Sequence, residues 1–236
     1  MPPDNETGAP PHEPPRCVIL DVDGTLVDSN DAHARAWVEA LAEYRHRVRF
    51  ERVRPLIGMS SDHLLAALDL ASEGPEAEAI AARRSEIFRE RHLPTLAPTP
   101  GAADLVRHLR ERGFVLVVAT SATRDDLAPL LDVAGVPELL EDATSADDAE
   151  RGKPAPDVVE AALAHVGCAA QEAIMIGDTP YDIETAAAAH VPCIAVRCGG
   201  WEDSYLAGAI AIYDDPAELL RRFADSPLTV PEPGSA

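Results

Sequence analysis

The chain has 236 residues, 46% of them hydrophobic, enough for one sizeable core or a core with a small accessory domain. Its 41 acids against 20 lysines and arginines give a formal net charge of −21. That field excludes nucleic acid as a partner and repels any anionic substrate unless a local cation or metal reverses it.

Residues 1–15 hold six prolines and few apolar side chains and are expected to form a disordered tail. They lack the basic start and apolar run of a signal peptide. No stretch of the chain is apolar for long enough to span a membrane, so a cytoplasmic protein is expected. The four cysteines, Cys17, Cys168, Cys193 and Cys198, form no Cys-x-x-Cys pair and are expected to be free thiols in a reducing compartment. Residues 226–236 resemble the first tail and are expected to be flexible.

Between the tails, short apolar runs alternate with helical patterns. The runs are CVIL from Cys17, FVLVVA ending at Thr120, AIMI ending at Gly177 and Asp178, PCIAV from Pro192 and AIAIY from Ala209. Continuous apolar runs suit strands buried on both faces, as in a parallel sheet. Helices are expected over 101–112, 124–134, 156–166 and 180–190. Thr123 with Asp126 fits a capping box, and Thr179, Pro180 and Asp182 fit the cap, first and third positions of a helix. This alternation implies a doubly wound, Rossmann-like α/β sheet. From about Asn30 to Leu96 the signals are only helical, with apolar residues such as Trp37, Leu41 and Tyr44 at helical spacing. The expected division is a core of 16–29 and 98–225 with an all-α cap, 30–97, inserted after the first strand like a lid.

The chemistry concentrates at the ends of the apolar runs. Asp21-Val-Asp-Gly-Thr begins directly after the first run, so Asp21 and Asp23 stand at the carboxyl edge of the sheet and Gly24 lets the chain turn. Two carboxylates so close can hold a divalent cation while one attacks and the other shuttles a proton. Thr120 offers a hydroxyl and an N–H to an oxyanion, with Ser121 beside it. Lys153, in Gly-Lys-Pro, offers a cation, and Asp178 adds a carboxylate at another strand end. Hard oxygen donors on Asp21, Asp23 and Asp178 suit Mg²⁺.

This order of motifs, Asp-x-Asp-Gly-Thr, a strand ending in Thr, Gly-Lys-Pro, then Gly-Asp-x-x-x-Asp, resembles the haloacid dehalogenase superfamily. The helical insertion is similar to the cap of its phosphoglycolate phosphatase and β-phosphoglucomutase-like branch. The resemblance implies a phosphatase acting on a small phosphorylated metabolite. Asp21 would be the nucleophile forming an aspartyl-phosphate and a metal ligand. Asp23 would be acid and base, with its backbone carbonyl on the metal. Thr120 would hold the transferring phosphoryl group, and Lys153 would stabilise its charge. Asp178 would ligate Mg²⁺ and Asp182 would support the metal's surroundings, although a helix cap alone accounts for Asp182. Arg52, Arg54 and the stretch Ser60 to His63 are candidates for substrate contact. His33 reads as a surface or packing histidine, and Gly199-Gly200 as a turn.

Rival readings have sequence tests. Asp23 argues against dehalogenation, which needs no acid for a halide. A phosphoglucomutase would carry a basic residue shortly after the cap glycine, and Gly58-Met-Ser-Ser-Asp62 has none. A phosphonate hydrolase needs a cap lysine, and 30–96 contains no lysine. A signalling receiver domain would place its phospho-acceptor on a later strand than its acidic pair.

Overall fold

The computed structural model describes residues 15–140, 143–148 and 151–229. The apolar runs form a six-stranded parallel sheet of β1 (Cys17–Leu20), β2 (Val115–Ala119), β3 (Ala143–Thr144), β4 (Ala173–Gly177), β5 (Cys193–Val196) and β6 (Ala211–Tyr213). Their order is β3-β2-β1-β4-β5-β6. Leu20 at the end of β1 lies opposite Val118 on one side and Ile176 on the other. The winding reverses between β1 and β4, and the crevice beyond their carboxyl ends is where such sheets bind ligands.

Successive strand residues feed two apolar layers. Val18, Leu20, Ile174 and Ile176 join one; Cys17, Ile19, Ala173 and Met175 join the other. That alternation, apolar on both faces, is why the strands read as unbroken apolar runs. The first layer packs against α5 (Ala102–Glu111) and α6 (Arg124–Ala134), the second against α7 (Asp157–Val166) and α8 (Pro180–Ala188). α9 (Pro216–Arg221) adds Leu219 to the first layer.

The cap consists of α1 (Asn30–Glu43), α2 (Phe50–Val53), α3 (Ser61–Ala67), α4 (Pro75–Ile87) and a π-helical turn, Phe88–His92. Its two linkers lie side by side: the Asp28 N–H donates to the Ala97 carbonyl and the Thr99 N–H to the Leu26 carbonyl, each 3.0 Å. Trp37, Leu41, Leu64 and Phe88 of the cap share one apolar cluster with Leu26 and Val118 of the core. Among the described residues, no helix is long and apolar enough to cross a membrane.

The structure departs from the sequence reading in several places. Cys17 and Cys168 are joined as a disulfide, Cα–Cα 6.6 Å, across 151 positions of sequence. The expectation of free thiols therefore fails for this pair; Cys193 and Cys198 are free. The boundary expected at Ser226 falls too early, because Ser226 and Leu228 are buried, Leu228 within the first apolar layer. Except for Pro15, the expected N-terminal tail lies outside the described residues, as do positions 230–236. The Thr123–Asp126 box is only half formed. Thr123 Oγ1 accepts the Asp126 N–H, but the Asp126 carboxylate turns to the cap. The Thr179–Asp182 box is complete.

α8 ends on His190, whose φ is +59°. Its ring is exposed, and its N–H and that of Val191 close the helix on Ala187 and Ala186. The left-handed conformation penalises an L-residue more than glycine's extra unfolded-state entropy does. His190→Gly is therefore expected to raise stability by roughly 0.5–1 kcal/mol. A urea titration reads this as a higher midpoint at unchanged slope.

Candidate active site

Asp21 follows β1 and its N–H donates to the Ile176 carbonyl (3.0 Å), so the backbone ladder carries its side chain past the sheet edge. Lys153, only 1% exposed, reaches it from the loop before α7. Its ammonium donates to Asp21 Oδ1 (2.6 Å) and Asp182 Oδ1 (2.7 Å). The 236 residues contain no other lysine. The Thr25 hydroxyl lies 3.1 Å from Asp178 Oδ1 and 3.3 Å from Asp21 Oδ2. Asn30 Nδ2 donates to Asp178 Oδ2 (2.8 Å) and to the Gly199 carbonyl (3.2 Å).

Asp21, Asp178 and Asp182 are all buried, and each offers an oxygen within 4.8 Å of the others'. Two of these three carboxylates, Asp21 and Asp182, share the one ammonium. Burial, partly offset by Lys153 and reinforced by Asp182 and Asp23, pushes Asp21 up to about 7. Burial, with Asp182 and Asp21 adding to it, also raises Asp178 well above the usual carboxylate range. Lys153 moves upward too: burial opposes its charge, but Asp182 and Asp21 outweigh it. An all-oxygen cluster with surplus negative charge fits a hard divalent cation of the Mg²⁺ class, which Asp21 and Asp178 would hold. Asp182 is otherwise engaged: one oxygen takes the Lys153 ammonium, the other Thr179 N–H (3.0 Å) and hydroxyl (2.7 Å). It positions Lys153 and closes the α8 cap at once.

Glycine is required where the backbone passes this cluster. A Cβ on Gly199 would collide with the Asp178 carboxylate, and one on Gly24, at φ +82°, with both Asp178 and the Asn30 amide. Gly199, read from sequence as a turn, therefore walls the carboxylate cluster.

Asp23 turns toward the cap. Its Oδ1 accepts from the Ser29 hydroxyl (2.5 Å) and lies 2.8 Å from His33 Nε2. Burial pushes the Asp23 carboxyl upward, but His33 and Ser29 outweigh it and hold it below its ordinary value. The two aspartates two residues apart are thus driven in opposite directions, the pattern by which one site assigns different protonation roles to paired carboxylates. Of the surface and packing alternatives expected for His33, the structure gives the packing one, with a polar contact added. The ring is buried, stacked on Phe88 at 3.9 Å between ring centroids, and bound to Asp23.

Asp21, Asp23, Thr120 and Ser121 line one cavity of about 50 Å³, closed on the cap side by His33, Trp37, Gly58, Met59, Ser61 and Arg84. The Ser121 hydroxyl donates to the Gly58 carbonyl (3.0 Å), and the Ser60 N–H to the Lys153 carbonyl (3.3 Å). His63 Nδ1 stands 3.2 Å from that same carbonyl. The cap loop is thereby docked on the loops carrying Ser121 and Lys153. Arg54 does not line this cavity, against expectation. Its guanidinium is held by Asp31 (2.7 Å) and the Gly199 carbonyl (2.5 Å), beside a separate cleft of about 810 Å³ that includes Tyr181, Trp201 and Tyr205. Arg52 pairs with Asp69 at the surface. The cation facing the cavity is Arg84, from α4.

Residues 18–196 match the model of the haloacid dehalogenase-like hydrolase family. The chain belongs to this family. It is 31% identical over 215 residues to the phosphoglycolate phosphatase of Rhodospirillum rubrum, covering 87% of this chain and 89% of that one. A solved hydrolase from Pseudomonas syringae superposes with a TM-score of 0.83 at 28% identity, covering 89% and 98% of the two chains. A 32% identical match to the chloroplastic SUPPRESSOR OF QUENCHING 1 of Arabidopsis thaliana covers 76% of this chain but 18% of that protein. Within the family the chain stands with enzymes named as phosphatases. Fold, cap and family agree with the reading from the motifs. Of the residues that the motif reading did not assign to the site, Thr25 and Asn30 meet Asp178 from a distant segment, and His33 and Arg84 come from the cap.

Proposed function

We propose that this member of the family is a Mg²⁺-dependent phosphatase that hydrolyses a small phosphomonoester through an aspartyl-phosphate on Asp21. The observation that carries the reading is the buried Asp21–Lys153–Asp182 bridge beside Asp178, with Asp21 lining a cavity that Thr120 and Ser121 share. The close relationship to a phosphoglycolate phosphatase supports the same class of substrate. Lys153, fixed by Asp182, holds Asp21 in one orientation and places a positive charge where phosphoryl oxygens gather. Attack by an Asp21 oxygen on phosphorus expels the alcohol, to which the Asp23–His33 pair delivers a proton. The same pair then takes a proton from the water that attacks the aspartyl-phosphate, returning Asp21 and releasing phosphate. Thr120 and Ser121 offer hydroxyl groups to the transferring phosphoryl group, and the docked cap excludes bulk water. When bound, Mg²⁺ would supply charge neutralisation between Asp21 and the phosphate.

The test is phosphate release from a panel of small phosphomonoesters with Mg²⁺ or with EDTA. Turnover is expected only with the cation; full turnover in EDTA would sink the metal dependence. Melting temperature offers a second readout. Asp21 is raised to about 7 when folded, from about 3.8. In cation-free protein its protonation therefore stabilises the fold at low pH, and that contribution is lost as pH rises through 7. Mg²⁺ competes with those protons. The rise in melting temperature on adding Mg²⁺ is expected to be larger at pH 8 than at pH 6.

A further inference from the structure

Arg54, drawn away from the catalytic cavity, marks a second cleft between cap and core. The segment 54–59 separates the two spaces: Arg54, Pro55 and Leu56 line the cleft, while Ile57, Gly58 and Met59 line the cavity. The core side of the cleft is aromatic. Tyr181, Trp201 and Tyr205 meet edge to face, with ring centroids 6.2 Å apart for Tyr181–Trp201 and 5.3 Å for Trp201–Tyr205. Trp201 packs on the second apolar layer, and the Tyr181 hydroxyl donates to the Pro55 carbonyl (2.6 Å), so two of the three rings are fixed. Tyr205 is 60% exposed, an aromatic ring that the fold leaves in water. The Trp201 Nε1–H is buried without a partner.

The charges around these rings are acidic. Asp31, Glu184 and Glu202 line the cleft against one cation, Arg54, which Asp31 already neutralises at 2.7 Å. Glu184 and Glu202 therefore leave surplus negative charge beside the rings. Glu184 is near enough to Tyr181 to add to burial in raising its phenol above the ordinary value. Ring faces attract cations through their quadrupole, and an aromatic cleft favours alkylated ammonium groups, which carry charge on an apolar surface. A metal ion fits less well. Among the described residues, only Asp21, Asp178 and Asp182 converge three donors as a metal site would. We propose that this cleft binds a small organic cation, an alkylammonium compound whose charge meets the Trp201 and Tyr205 rings and the Glu184 and Glu202 carboxylates. The site stands apart from the phosphoryl chemistry and does not depend on it. Its occupant touches the cap at Leu56 and the core at Trp201, so binding favours the docked cap.

The test is an NMR titration of ¹⁵N-labelled protein with choline chloride, with sodium chloride as the salt control. The chain holds two tryptophans, Trp201 in the cleft and Trp37 in the catalytic cavity, so their indole N–H signals report the two spaces separately. Trp201→Phe assigns the signals. Choline is expected to shift the Trp201 signal saturably and to leave the Trp37 signal nearly in place. 3,3-Dimethyl-1-butanol, which has the same shape without the charge, is expected to bind about 10-fold more weakly. Tyr205→Ala, at an exposed position, is expected to weaken choline by roughly 3- to 10-fold, and the double variant Glu184→Gln, Glu202→Gln by a similar factor. A larger shift at Trp37 than at Trp201, equal affinity for the neutral alcohol, or no saturable shift beyond the sodium chloride control would overturn the site. Tighter binding of trilysine than of choline would reassign the cleft to a basic peptide and overturn the small-cation proposal.

Discussion

Asp21→Asn is expected to abolish phosphate release, with kcat lowered by about 10⁴-fold or more, as when a covalent nucleophile is removed. The amide keeps the shape of the side chain but cannot attack phosphorus. Stability is expected to move the opposite way. Asp21 is one of three clustered buried carboxylates, two of which share a single ammonium, and burial has already driven it up to about 7. Replacing it by a neutral group relieves repulsion with Asp182 and Asp178. Cation-free Asp21→Asn should therefore melt above the cation-free wild type at pH 8, where the wild-type carboxyl is ionised. It should gain less than the wild type when Mg²⁺ is added. A variant that is inactive yet melts higher has lost its nucleophile rather than its fold. Full activity in Asp21→Asn would remove Asp21 from the chemistry.

The second large effect is on folding. Lys153→Met is expected to destabilise the cation-free protein by about 3–5 kcal/mol, the cost of removing one partner from a buried ion pair and stranding the other. Here two carboxylates are stranded, Asp21 and Asp182, at 2.6 and 2.7 Å from the lost ammonium. Asp182 remains tied to Thr179 and cannot turn toward water. Urea unfolding at pH 8 checks the magnitude. Lowering the pH toward 6 should recover part of the loss, because a carboxyl with a raised pKa is stabilised by taking up a proton. Loss of only a few tenths of a kcal/mol at every pH would mean that the bridge contributes little.

The sheet was legible because its strands are buried on both faces, so CVIL, FVLVVA and AIMI announce themselves without tertiary information. Asp21, Thr120 and Asp178 were legible because each stands at the end of such a strand, and Lys153 because of the Gly-Lys-Pro around it. β3 was not, since two residues, Ala143 and Thr144, are too few to show a pattern. Leu228 was missed because its neighbours are polar and only packing against the first layer distinguishes it. The cap side of the site was illegible for a different reason. His33 and Arg84 occupy ordinary positions on helices α1 and α4, and nothing in their spacing says that Asp23 and Asp126 wait opposite them. Arg54 shows the converse. It is basic and near the cap glycine, yet Asp31 and the Gly199 carbonyl draw it into another cleft. Cys17 and Cys168 meet through the fold alone. Sequence patterns carry the periodicity of elements, while the pairing of side chains between elements is a property of their packing.

That Lys153 is the chain's single lysine has a practical consequence for labelling. Apart from a chain terminus, an acylating reagent finds one amine in these 236 residues, buried and held protonated by Asp21 and Asp182. Modification at that position therefore counts the molecules in which the bridge has opened. The extent of acylation over time, read by intact mass, becomes a clock for the opening of the site, with no probe introduced by mutation.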